Sequence, residues 1–211
     1  MTAAERKSSG QRLAETRARL LDSVVESLAE AGYHATTSTE VARRSGLTRG
    51  AQLHHFGTKD QMMFATVEHL ATGTDVTAIV TALDQLPDDV DRLRTVLEIL
   101  VEVFSGPGPA AYAELWGASR SDPALADALR AADVVARTTV LSLVGEETLA
   151  RVGAEFEALL DLTLYALRGM VVDAHLADDD ELRARKALII GQAKYLEPSL
   201  VGNDEHRKAQ Q

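Results

Sequence analysis

The sequence predicts an all-helical protein, and three observations carry that expectation. Apolar content is 45%, supplied by Ala, Leu and Val with only 4% aromatic residues, and Ala and Leu are strong helix formers. Apolar residues recur every three to four positions in segment after segment, and no stretch shows strand alternation. Gly, Pro and capping residues fall between those segments at the places where helices start and stop.

Taken in order, residues 1–13 are polar and are expected to form a flexible arm. A first helix is expected from about Glu15 to Ala31, with Leu20, Leu21, Val24, Val25 and Leu28 on one face and Gly32 as its C-cap. Thr37 and Glu40 form a capping-box pair that opens a short helix through Val41 and Ala42, ending at Gly46. Thr48 caps a further helix to about Phe56, which Gly57 breaks. Thr58 and Gln61 form a second capping box before a helix with Met62, Met63, Val67 and Leu70.

Beyond this the segments lengthen. Helices are expected near 74–85 and 89–104, separated at Pro87. The run Gly106-Pro107-Gly108-Pro109 is the strongest break. Asp122 and Pro123 supply an N-cap and N1 pair for a helix of about 20 residues ending near Gly145. A long helix over 147–176 and a last one opening at Asp178-Asp179-Asp180 and ending before Pro198 complete the chain; the tail 199–211 is polar. No internal repeat is present.

Composition excludes some classes. The chain has no cysteine, which removes disulfides and thiolate metal sites. The first dozen residues are charged, unlike a signal peptide. No apolar run approaches the roughly 18 residues that span a bilayer, so a cytoplasmic protein with no membrane partner is expected. The net charge of −10 hides an asymmetry. Residues 1–65 carry nine Lys or Arg against seven Asp or Glu, and the remainder carries thirteen against twenty-five. A mildly basic head on an acidic body can bind DNA, because phosphate attraction is local on the Debye scale.

The stretch 37–56, TSTEVARRSGLTRGAQLHHF, is two short helices joined at Ser45-Gly46-Leu47. Ala42 supplies the small residue where the helices cross, Gly46 the unrestricted turn and Leu47 an apolar plug, as a helix-turn-helix requires. The second helix has few apolar residues to bury and several polar ones to present, the composition of a helix lying in a major groove.

Residues 14–74 resemble the DNA-binding domain of the TetR (tetracycline-repressor) family. The resemblance rests on the three-helix layout, Gly32-Tyr33, Thr37-Ser38-Thr39, Val41-Ala42, Gly46-Leu47-Thr48-Arg49-Gly50, His54-His55-Phe56 and Lys59. It implies an effector-responsive repressor that binds a near-palindromic operator as a homodimer paired through its last two long helices. Residues 75–198 would then form the effector-binding and dimerisation domain, without catalysis or cofactor.

The resemblance places Arg49 at N1 of the reader, facing guanine O6 and N7, and Gly50 where the backbone approaches DNA. Thr48 caps the reader or bonds a phosphate, Ser38 and Thr39 face the DNA backbone, and Lys59 with free helix amides holds a phosphate. His54 and His55 fall at the reader's end, one near DNA and one half packed. Gln52-Leu53 stands where many members have Leu-Tyr; Leu53 is expected at a thymine methyl and Gln52 at a neighbouring group. Arg43 and Arg44 read either as phosphate clamps or as a solvated face, and Arg6, Lys7 and Arg12 as a minor-groove arm or a solubilising tail. The adjacent histidines cannot chelate one ion, since neighbouring helical residues project about 100° apart.

In the body, Phe104, Tyr112, Trp116, Arg120, Phe156, Tyr165, Arg168, Met170 and His175 are candidates either for an effector pocket or for plain core and interface. Tyr112 and Trp116 share a face at i, i+4. Arg168 lies on the most apolar helix and needs a partner, for which the sequence offers the other subunit or an anionic ligand. The competing reading is a helical small-molecule-binding protein or enzyme with a coincidental helix-turn-helix.

Overall fold

The computed structural model describes residues 9–72, 90–144 and 146–191, and every regular element in them is helical. The helices are α1 (Ser9–Ala35), α2 (Ser38–Ser45), α3 (Arg49–Phe56), α4 (Lys59–Thr72), α5 (Val90–Val103), α6 (Pro107–Ser119), α7 (Pro123–Val144), α8 (Glu146–Asp173) and α9 (Asp179–Gly191). A 3₁₀ turn, Ala174–Leu176, joins the last two. The helix expected at 74–85 and the tail 199–211 lie outside the described residues.

Helix α1 starts at Ser9, several residues before the expected Glu15. Gln11, Leu13, Ala14 and Glu15 form helix readily, and Thr16 Oγ1 donates to the Arg12 carbonyl at 2.8 Å. The expected arm is therefore helical from residue 9. Helical geometry breaks at Gly32 as expected, with φ 83° and ψ 172°, a conformation glycine adopts without steric cost. One turn follows, in which the Thr36 amide donates to the Gly32 carbonyl at 3.2 Å.

The other boundaries follow their caps. The Glu40 amide donates to Thr37 Oγ1, while Thr58 and Gln61 exchange amide-to-side-chain bonds in both directions. Asp122 Oδ1 accepts from the Leu125 amide at the start of α7, and Asp178 Oδ1 accepts from the amides of Asp180 and Glu181 at the start of α9. Pro107 takes the first position of α6, after the break at Gly106.

Two cores result. The first joins Leu20, Leu21, Val24 and Leu28 of α1 to Val41, Phe56, Met62 and Met63, and also to Ala111 and Leu115 of α6 and Leu125, Leu129 and Ala132 of α7. The head is thus completed by side chains of the body. The second core gathers Val96, Leu97, Leu100 and Val101 of α5 with Val140, Leu160, Leu167, Met170 and Ile189. Among the described residues, no helix is long and apolar enough to cross a membrane.

Candidate nucleic-acid interface

The turn between α2 and α3 is made by Gly46 in the left-handed region, φ 66°, and the Leu47 amide returns to the Ala42 carbonyl at 3.2 Å. Arg19 of α1 donates from Nη2 to the Ser45 carbonyl at 2.9 Å, which ties the turn to the first helix. Thr48 caps α3 by accepting from the Ala51 amide at 3.1 Å. Val41, Ala42, Ser45, Gln52 and Phe56 are buried beneath these two helices.

What α3 turns outward is Thr48, Arg49, Gly50, Leu53 and His54, all exposed. Arg49 forms no hydrogen bond or ion pair with any described residue. Leu53 keeps 44% of its surface exposed. Thr39 is exposed and Ser38 half-buried at the start of α2. His55 is half-buried, and burial, reinforced by His54 and Arg17, lowers its pKa so that the neutral ring is favoured.

Two expected contacts are placed differently. Gln52 has no exposed surface; it points inward and donates to Met62 Sδ at 3.3 Å. Position 52 is on the buried face because α3 must keep Gln52 and Phe56, four residues apart, against α4. In this conformation its amide does not reach a base. Lys59 is also turned inward. Its Nζ donates to the Tyr33 carbonyl at 2.7 Å and sits 4.3 Å from the Tyr33 ring centroid. Burial lowers its pKa.

Arg43 and Arg44 converge on Glu40, and Arg44 also reaches Glu30 at 2.7 Å. Hydrogen bonds from Arg43 and then Arg44 hold the Glu40 carboxyl down at about 2. Arg44 is therefore committed to tying α2 to α1, while Arg43 remains largely exposed.

One cation at this surface escaped the sequence reading. Arg17 of α1 lies over the Phe56 ring, 5.4 Å from its centroid, and lines a shallow groove with Leu53, His54, His55, Gly57 and Gln61. Its position three and four residues before Leu20 and Leu21 puts it at the edge of the buried face, and that spacing was the available signal.

In the body the structure brings together four of the expected residues. Tyr112 and Trp116 meet edge to face, 5.1 Å between centroids. The Arg168 guanidinium lies 4.6 Å from the Trp116 centroid and 6.0 Å from that of Tyr165. Within the chain it pairs with Asp133 of α7, at 2.8 Å. Burial raises the Asp133 pKa against the opposing pull of Arg168, and burial likewise raises that of Tyr112. Arg168 Nε is buried without a partner among the described residues. Phe104 packs on the second core, as does Met170, and Arg120 and His175 are exposed at helix ends. The side chain of Phe156 lies outside the described residues. Asp133 was missed because the pair spans 35 residues of sequence.

Fold and surface together define a helix-turn-helix protein with an all-helical body. Residues 20–66 match the profile of the family described as bacterial regulatory proteins, tetR family. Over this segment the chain is similar to the tetR family. It is 30% identical over 120 residues to an uncharacterized HTH-type transcriptional regulator of Mycobacterium tuberculosis, covering 57% of this chain and 61% of that one. It is 31% identical over 111 residues to the HTH-type transcriptional regulator BetI of Burkholderia cenocepacia, covering 52% and 57%. The matches thus span about three fifths of these relatives' length. Among solved structures, a transcriptional regulator from Saccharomonospora viridis in complex with choline superposes with TM-score 0.69 at 15% identity, covering 86% of this chain and 96% of that one. A TetR transcription regulator from Haloarcula marismortui superposes at 0.68 with 20% identity, covering 86% and 98%. At these identities the likeness is one of fold.

Proposed function

We propose that this protein is a cytoplasmic transcriptional regulator, acting as a repressor that binds a near-palindromic operator as a homodimer and is released by a small-molecule effector. The observation that carries this reading is the outward face of α3. Arg49 stands unpaired at its first turn, followed one turn later by an exposed Leu53 and by His54. A guanidinium beside an apolar tip suits a guanine edge next to a thymine methyl. Ser38, Thr39, Thr48 and Arg17 flank that face and would hold phosphates, which fix register without reading sequence.

Dimerisation is supported by a stripe along α8. Leu162, Tyr165 and Val172, continued by Leu176, are exposed at intervals of three to seven residues, and Tyr165 keeps 67% of its surface. Such a stripe is the expected face of a helix pair. Two-fold symmetry then sets two readers about one turn of DNA apart. An effector site is supported by the cluster of Tyr112, Trp116, Asp133 and Arg168, where aromatic faces and one ion pair converge. The choline held by the Saccharomonospora regulator supports a body of this fold as a carrier of small organic ligands.

Selection from random duplexes with the full chain tests the reading. A palindrome should be enriched, and Arg49→Ala should abolish the enrichment while the protein melts as before. Equal retention of all duplexes by the unaltered protein would overturn it.

A further inference from the structure

A peptide amide at a helix kink is stripped of its helical acceptor and must find another. At Gly32 the backbone leaves helical geometry, and the next amide, that of Tyr33, donates instead to Glu114 Oε2 at 2.9 Å. Glu114 belongs to α6, a helix of the body, 81 residues away. The carbonyl of the same residue accepts from Lys59 Nζ. Lys59 is the first residue of α4 and follows the reading helix by three positions. Both backbone polar groups of Tyr33 are therefore held by side chains, one from the body and one from the segment that ends the reader.

The approach at this point is close. A Cβ built on Gly32 would lie 3.1 Å from Glu114 Oε2, close enough that a side chain there would press the carboxylate back by a few tenths of an ångström. Helix α6 is shared in a second way. Tyr112 and Trp116 stand two residues before and after Glu114, roughly 200° around the axis. One side of α6 thus holds the kink of α1, and the other side carries the rings over which Arg168 lies. A displacement of α6 would act on both sides at once while the Glu114 bond holds. The Glu114 bond is exposed to water, which keeps it breakable at modest cost.

We infer that Glu114 is a positioning residue for operator binding: by capping the Tyr33 amide at the Gly32 kink it fixes the angle of the reading head on the body and transmits displacement of α6 to that head. This rests on the DNA-binding reading above. Spacing between the two readers depends on that angle, so Glu114 governs which half-site separation is accepted.

The test uses the full chain with Glu114→Ala and Glu114→Gln, measured by fluorescence anisotropy on the selected operator and on duplexes with one or two base pairs added between half-sites. Both substitutions remove the same negative charge, but Gln retains an acceptor for the Tyr33 amide. Glu114→Ala should bind the selected operator about five- to tenfold more weakly and should discriminate less against the lengthened duplexes, with Glu114→Gln close to the unaltered protein. Amide exchange at Tyr33 in the free protein should accelerate in Glu114→Ala and not in Glu114→Gln. If the unaltered protein selects a palindrome while Glu114→Ala keeps its affinity and spacing preference, the inference is overturned and the DNA-binding reading stands. If the unaltered protein selects no operator, both fall. If Ala and Gln behave alike, charge rather than the hydrogen bond is responsible, and the positioning role is lost.

Discussion

The side-chain amide of Gln52 donates to the Met62 sulfur at 3.3 Å inside the head, and its own oxygen is buried with no partner among the described residues. A thioether is a weak acceptor, and an unsatisfied buried carbonyl is costly. Gln52→Leu should therefore raise stability by about 1 kcal/mol, a rise in melting temperature of about 2–4 °C for a chain of this size. Operator affinity should not change. A loss of affinity with intact folding would return Gln52 to the DNA surface.

Leu53 offers the complementary case. Its exposure means that truncation leaves little cavity, so Leu53→Ala should alter stability by less than about 0.5 kcal/mol. Base preference should weaken at one position of each half-site, where thymine is replaced by uracil or cytosine in the test duplexes. Unchanged preference at every position would remove Leu53 from the reading face.

Glu40 predicts a dependence on acid. Its folded pKa is about 2 against an ordinary 4.5, through its bonds to Arg43 and then Arg44. A depressed carboxyl stabilises the fold above its unfolded pKa and loses that contribution as pH falls through the folded value. The melting-temperature advantage of the unaltered protein over Glu40→Gln should be full above about pH 4.5 and vanish as pH approaches 2. An advantage that grows on acidification would contradict the pairing.

The exposed stripe on α8 predicts an assembly. Leu162→Asp combined with Tyr165→Asp places charge on a face that dimerisation would bury, which is costly without partners. Sedimentation velocity should show a shift from dimer to monomer, and operator affinity should fall because each half-site is then bound alone. A dimer that survives both substitutions would move the interface elsewhere.

Much of the fold was legible because its signals are local. The capping residues Thr37, Thr48, Thr58, Asp122 and Asp178 each bond an amide two or three residues on, and a sequence displays such pairs directly. Gly46 was legible for the same reason, since its left-handed turn needs no distant partner. The failures are long-range. Gln52 looks like a reader by type, and only the packing of α4 on α3 turns it inward. Lys59 looks like a phosphate ligand until Tyr33, 26 residues earlier, takes its ammonium. Arg168 was known to need a partner, but Asp133 became visible only once α7 and α8 lay side by side.

The core of the head is finished by Ala111, Leu115, Leu125 and Leu129, and this bears on exchanging readers between regulators. A transplanted segment 9–72 would arrive with a fitted socket and no plug, and each missing leucine would cost about 2–5 kcal/mol if left as a void. Specificity should therefore travel between such proteins as single side chains on α3, while grafts of the whole head require a recipient whose α6 and α7 present leucines of matching shape.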